Sequence, residues 1–183
     1  VKIKILSNKG LEQANISIPL QKSNGMFEKL HDIKGVTSNL ENGGHQFTEL
    51  DQSKIYTENV NEFYELKKFT LPNVKVGSII EYQYTLESPF YFNFRTWEFQ
   101  SYIPKMESEF WAKIPGNFDY NIALRGFKKL DFQDGQLVKD CFHIGGGTAD
   151  CSLLKYGMKN IPAFVEEDYM TAPENFISTL RFE

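Results

Sequence analysis

The sequence predicts an all-β fold, an antiparallel β-sandwich of two packed sheets with little helix. Three observations carry the prediction. Short runs with twofold alternation recur along the chain, separated by turn chemistry at roughly eight- to twelve-residue spacing. No segment holds a helical period for three turns. Aromatic residues make up 15% of the chain, with 16 Phe and 9 Tyr, and rings suit pleated, half-buried surfaces.

The elements follow in order. Residues 1–6 alternate, with Val1, Ile3 and Ile5 on one face. Ser7, Asn8, Lys9 and Gly10 form a turn signal, and residues 14–20 resume as a strand with Ile16 and Ile18 aligned. Residues 21–25 are polar and read as a loop. Residues 29–40 carry Leu30, Ile33 and Val36, with Gly35 read as a bulge or bend. Asn42-Gly43 is a hairpin signal leading into a strand over 45–50. Residues 51–61 are polar, with a helical turn placed at Asp51 or Ser53. Residues 62–71 form the next strand, closed by Pro72, which lacks the ladder donor.

The centre of the predicted core is a hairpin of residues 78–86 and 92–101, turned by Glu87, Ser88 and Pro89. Ile80, Tyr82, Tyr84 and Leu86 share one face of the first run, and Trp97 and Phe99 share a face of the second. Pairing Tyr82 with Trp97 sets Glu81 opposite Glu98, an unfavourable like-charge pair. That calls for a shifted register or for Arg95 or a lysine between them. Beyond it, residues 107–114 alternate Phe110, Ala112 and Ile114 against Glu109, Trp111 and Lys113. Short strands follow at 120–124, 129–132, 136–143 and 152–159, with Asp134-Gly135 as one turn and Gly145-Gly146-Gly147 as another. Residues 163–173 are irregular, and 174–182 end the chain as a strand. With no repeat and no Pro/Gly/Ser-rich linker, residues 1–183 read as a single module whose weakest point is Pro104–Lys105.

Composition narrows the function. Hydrophobic residues at 41% and charged residues at 24% describe a globular protein. The net charge is -4, and no basic cluster is longer than Lys67-Lys68 or Lys128-Lys129, so nucleic acid is not the expected partner. No apolar run approaches the roughly 20 residues of a membrane-spanning helix. The chain starts at Val1, and its last alternating pattern is still running at its end. Both ends are therefore expected to bound a module within a longer protein.

The chemical candidates are few. Cys141 and His143 share a strand face, and a thiol beside an imidazole can become a nucleophile. Their i, i+2 spacing is too long for an easy hydrogen bond, and no third residue orients the ring. No catalytic residue is assigned. Cys141 and Cys151 can instead face each other across a hairpin centred on Gly146, a register that sets His143 opposite Ala149. That geometry nearly suits a disulfide; the alternative is two separate reduced thiols. His31, His45 and His143 are scattered, so neither a metal nor another cofactor is expected. Asp131, Asp134 and Gly135 lack the remaining oxygen positions of a calcium loop. His143-Ile144-Gly145-Gly146-Gly147 resembles a lipase oxyanion loop, but without a nucleophile elbow it reads as a hairpin tip.

The aromatic run Phe90-Tyr91-Phe92-Asn93-Phe94 is too dense for one strand face, so some rings are expected outside the core. Exposure of Phe90 or Tyr91 is the expectation, as a contact surface for a partner domain or sugar. Tyr102 and Trp111 are further candidates, and a concave site lined by Tyr91, Tyr102 or Trp111 would favour glycan or peptide binding.

One stretch carries a resemblance: Lys68-Phe69-Thr70-Leu71-Pro72-Asn73-Val74-Lys75-Val76-Gly77-Ser78-Ile79-Ile80-Glu81-Tyr82. With Ile33-Lys34-Gly35, Trp97-Glu98-Phe99-Gln100-Ser101 and Lys159-Asn160-Ile161-Pro162-Ala163-Phe164, it resembles the bacterial domain of unknown function 3857 that precedes transglutaminase-like domains. Tyr169-Met170-Thr171-Ala172-Pro173 fits as well. The resemblance implies a β-sandwich accessory module of an exported protein, in the periplasm or cell envelope. Its implied partner is a transglutaminase-like, papain-type Cys-His-Asp domain of the same polypeptide, beyond Glu183. The stretch with Cys141, the triple glycine and Cys151 departs from the family pattern.

Overall fold

The computed structural model describes residues 1–91 and 94–182. It is all-β and antiparallel, as predicted, but its strands gather into two compact units, Val1–Pro89 and Phe90–Glu183. The division falls at Pro89/Phe90 rather than at Pro104–Lys105. Each unit has two sheets of its own and its own core, where the sequence predicted one pair of sheets.

The first unit contains β1 (Lys2–Lys4), β2 (Asn15–Ser23), β3 (Met26–Phe27), β4 (Lys29–Glu41), β5 (Gly44–Glu49), β6 (Tyr56–Asn59), β7 (Tyr64–Thr70) and β8 (Ile79–Glu87). Two sheets result, ordered β1-β8-β4-β5 and β3-β2-β7-β6. Alternation along β2 buries Ile16, Ile18 and Leu20, and these pack with Phe69 of β7 and with Ile33 and Ile80 of the facing sheet. Full burial of a ring such as Phe69 contributes about 1.5–3 kcal/mol. Asn42 (φ 49) and Gly43 (φ 80) turn β4 into β5 with both central residues left-handed, the geometry that matches strand twist. The polar 51–61 stretch opens with a 3-10 turn, Gln52–Lys54, capped by Asp51, whose carboxylate accepts from the Ser53 N–H at 2.9 Å.

The predicted central hairpin is not formed. β8 lies inside its sheet, with β1 on one edge and β4 on the other. Of the predicted second strand, 92–101, Trp97 and Glu98 pair instead with Leu180 and Thr179, and Phe92 and Asn93 lie outside the described residues. Glu81 accordingly stands between Val36 and Lys2 and pairs with the Lys2 ammonium at 2.5 Å, so no like-charge clash with Glu98 arises. Gly35 is not the bulge either. The register of β4 slips between His31 and Lys34, with Asp32 at φ 52. Gly35 is needed because the Leu71 and Leu50 side chains occupy the space of a Cβ.

The second unit contains β9 (Trp97–Glu98), β10 (Lys105–Pro115), β11 (Ile122–Arg125), β12 (Phe132–Ile144), β13 (Gly147–Ile161) and β14 (Thr179–Phe182). Its sheets run β10-β13-β12 and β11-β14-β9. Ala112, Ile114, Tyr156 and Met158 supply one side of the core; Leu180 and Phe182 supply the other. The predicted turn at Asp134-Gly135 is interior strand, with Asp134 opposite Lys155 and Gly135 opposite Leu154. The Phe132 ring lies over Gly157 of β13 and occupies the space of its missing side chain, which carries the ladder through the polar residues.

Candidate contact surface and disulfide hairpin

The β12–β13 hairpin is the most elaborated element of the second unit. Gly145 (φ 54) and Gly146 (φ 85) close it as a two-residue turn, pairing Ile144 with Gly147 and His143 with Thr148. This differs by one residue from the register predicted, which set His143 opposite Ala149. A two-residue turn requires the tighter pairing. Lower down, Val138 pairs with Cys151, so a bulge separates Val138 from Phe142. Cys141 sits in that bulge and is bonded to Cys151, with Cα atoms 5.8 Å apart. Bonded, the sulfur offers no thiolate to His143, which stands exposed in the ladder.

Polar contacts brace the bulge. Asp150 accepts from the Lys139 ammonium at 2.6 Å and from the Asp140 N–H at 3.1 Å. The Thr148 hydroxyl donates to Asp140 at 2.7 Å, and Asp140 adopts φ 48. The Lys139 bond first, and the Asp140 N–H second, hold the Asp150 carboxyl below the usual carboxylate range. Farther along, the Lys159 N–H donates to Asp131 at 2.7 Å and lowers its carboxyl likewise. Asp131 thus serves the β12–β13 ladder rather than a calcium loop.

The four predicted contact residues fall into separate settings. Tyr91 is 54% exposed and meets Phe118 edge-on at 6.2 Å, while Phe90 is half-buried. Tyr102, 61% exposed, donates its hydroxyl to Glu166 at 2.8 Å and meets Phe164 edge-on. Trp111, 58% exposed, lies on the β10–β13 face turned away from the core. Its indole N–H donates to Glu109 at 3.0 Å, and the Lys155 ammonium lies 4.3 Å from its ring centroid, a cation–π contact. Phe127, not singled out by alternation, is 83% exposed and stacks on Phe176 at 5.8 Å; its flanking Gly126 and Lys128 conceal it in the sequence.

Two depressions, of about 860 Å³ and about 370 Å³, both lie in the first unit. Neither is lined by Phe90, Tyr91, Tyr102 or Trp111. The three histidines stay apart: His31 contacts Glu87 at 3.1 Å, and His45 contacts Ser38 at 3.0 Å. Among the described residues, no three His, Cys, Asp or Glu side chains gather to hold a metal ion. Among the same residues, no helix is long and apolar enough to cross a membrane.

In shape the chain is similar to a crystal structure of a "putative protease" from Parabacteroides distasonis ATCC 8503, with a TM-score of 0.73 and 13% identity. The match covers 99% of this chain and 35% of that one, so the chain spans about a third of its length. At this identity the likeness concerns fold. No curated protein matches the chain. The family model of the Domain of Unknown Function with solved-structure structure, DUF3857, matches residues 1–137. That match takes in the whole first unit and the second as far as Leu137 in β12, and the chain belongs to the DUF3857 family.

Proposed function

We propose that this chain is a non-catalytic accessory module of a larger protein, whose chemistry is done by a transglutaminase-like, papain-type domain elsewhere in the polypeptide. The observation that carries the reading is coverage: the chain aligns over 99% of itself yet accounts for 35% of a protein named for proteolysis. The engagement of both cysteines in one disulfide supports it, because no thiol nucleophile is then left in the chain. The disulfide also fits an exported compartment, the periplasm or cell envelope. The module acts by packing on the catalytic domain or by presenting substrate to it. The Trp111–Lys155–Glu109 face and the Tyr102–Phe164–Glu166 contact supply aromatic area bordered by charge.

The test uses the full polypeptide, with and without residues 1–183, and the isolated chain. The isolated chain is expected to turn over no peptide substrate. Deletion is expected to lower kcat/KM while labelling of the catalytic thiol persists. Turnover by the isolated chain, or unchanged folding, stability and turnover after deletion, would overturn the proposal. A second reading, independent binding of a glycan or peptide, draws on the outward, braced ring of Trp111. It predicts that Trp111→Ala abolishes saturable binding in an oligosaccharide and peptide panel; a panel with no binding removes it.

A further inference from the structure

The geometry points to a redox-set register in the β12–β13 hairpin: the bond between Cys141 and Cys151 holds the tip in its bulged pairing, and reduction releases it into an unbulged one. Below the bulge the ladder sets Val138 opposite Cys151; above it, Phe142 stands opposite Ala149. Between these pairs three residues of β12, Lys139, Asp140 and Cys141, stand against one of β13, Asp150. If the lower register ran on without interruption, Asp140 would face Ala149, Cys141 would face Thr148 and Phe142 would face Gly147. Residues 143–146 would then form a four-residue loop, a common hairpin length.

The disulfide and that unbulged register are mutually exclusive. With Cys141 opposite Thr148, the two cysteines stand three residues out of step, about 10 Å along the strand. A disulfide needs Cα atoms within about 7 Å, and the bulge brings them to 5.8 Å. Alternation would also turn the two side chains to opposite faces, since Cys151 shares a face with Val138 and Cys141 lies three residues beyond it. Only the bulge allows the bond.

Without the bond, the bulge keeps the contacts of Asp150 with Lys139 and Asp140 and the contact of Asp140 with Thr148. It also keeps Asp140 at φ 48, a left-handed setting that an aspartate adopts sparingly. The unbulged register returns Asp140 to extended backbone and converts the three looped-out residues of β12 into ladder positions. The hairpin thus has two competing pairings of the same residues, and the sulfur chemistry selects between them. The switch takes two electrons. A dithiol reductant attacks the disulfide, both cysteines leave as thiols, and the dithiol ends as its own disulfide. What moves is Phe142 and His143, from paired strand to the end of the ladder and the loop.

The test is nuclear magnetic resonance of the isotope-labelled 183-residue chain before and after dithiothreitol. The oxidised chain is expected to give cross-strand contacts from Phe142 to Ala149 and from His143 to Thr148. In the reduced chain these are expected to vanish, replaced by contacts from Asp140 to Ala149 and from Phe142 to Gly147. A reduced chain that keeps the first set, or one that loses both, overturns the inference. A trap provides a second readout: Thr148→Cys with Cys151→Ser places a thiol opposite Cys141 only in the unbulged register. Rapid intramolecular bonding on mild oxidation, mapped by peptide mass, is expected, and its absence counts against the switch.

Discussion

Replacing Gly126 by alanine tests whether the second unit is built around the backbone approach seen after β11. Gly126 has φ +91, and a Cβ added there would lie 2.6 Å from the Ser178 Cα and 2.8 Å from the Ser178 N. Those atoms cannot step aside. Ser178 is fully buried, its carbonyl accepts from the Phe99 N–H at 2.9 Å, and its hydroxyl accepts from the Lys128 N–H at 3.2 Å. Left-handed backbone costs a residue other than glycine about 1–2 kcal/mol, and forcing an atom into filled space adds about 1–3 kcal/mol. The expected loss for Gly126→Ala is the sum of the two, roughly 2–5 kcal/mol. Gly146 is the control: its φ is +85, yet nothing lies within 4 Å of an added Cβ. Gly146→Ala should therefore cost only the backbone part, about 1–2 kcal/mol. Both tryptophans of the chain, Trp97 and Trp111, belong to the second unit, so tryptophan fluorescence in urea follows that unit. With a urea slope of about 1–3 kcal/mol/M, the difference of about 1–3 kcal/mol between the two variants is expected to separate their midpoints by roughly 0.3–3 M. Equal midpoints would refute the reasoning, since the collision with Ser178 is all that distinguishes the two sites.

Three further outcomes are expected. Cys141→Ser with Cys151→Ser should cost about 2.7 kcal/mol on the loop-entropy relation, given the sequence separation of 10, measured as the difference in urea stability from the oxidised chain. Asn39 is 5% exposed, donates to the Asn73 carbonyl at 2.9 Å and accepts from the Ser78 hydroxyl at 2.5 Å; Asn39→Ala strands both and should cost about 1–3 kcal/mol in a circular-dichroism melt. Asp131 and Asp150 both have folded values below their unfolded ones. Their contribution is fully present above about pH 4 and is lost as the pH falls through the folded values. Protection of the β12–β13 amides, taken as exchange relative to the intrinsic rate at each pH, should therefore fall in that acid window, and Asp150→Asn should flatten the response; an unchanged slope would contradict the assignment.

Much of the strand content was legible because alternation is a local property. β2 buries Ile16, Ile18 and Leu20, and β10 buries Ser108, Ala112 and Ile114 with Phe110 half-buried between them, and Asn42-Gly43 closes its hairpin as dipeptide chemistry requires. Partner choice is not local. The turn residues after β8 signal a reversal, but they carry no information that β8 pairs with β4 along its length and with β1 at Ile79–Glu81, while Trp97 and Glu98 pair with β14. The same limit hid the division at Pro89/Phe90, where no linker composition marks the boundary. Asp134-Gly135 read as a turn because its dipeptide resembles one; Phe132 lying over Gly157, a contact across strands, keeps it extended. In the candidate site, the spacing of the cysteines suggested a pair, but the bulge that joins them depends on turn geometry and register together.

The aromatic density that suggested a binding surface has a different first use. In the second unit, rings run in contact from Tyr91 through Phe118, Tyr120, Phe94, Phe182 and Phe110 to Trp97, with successive centroids 5.0–6.3 Å apart. The sheet beneath that chain is slight: β9 has two residues, and β11 and β14 have four each. So short a ladder offers few hydrogen bonds, whereas each aromatic pair contributes about 0.5–1.5 kcal/mol beyond the area it buries. Phe94 and Trp97 are therefore first of all packing residues, although each is 37% exposed. Trp111 differs. It stands on the opposite face of β10 from Phe110, touches Glu109 and Lys155, and supports no core contact. Removing its ring should cost little stability, about 0.5–1 kcal/mol for an exposed cation–π contact. A larger effect on turnover in the full polypeptide than on the unfolding midpoint would therefore mark that face as the surface the accessory role uses.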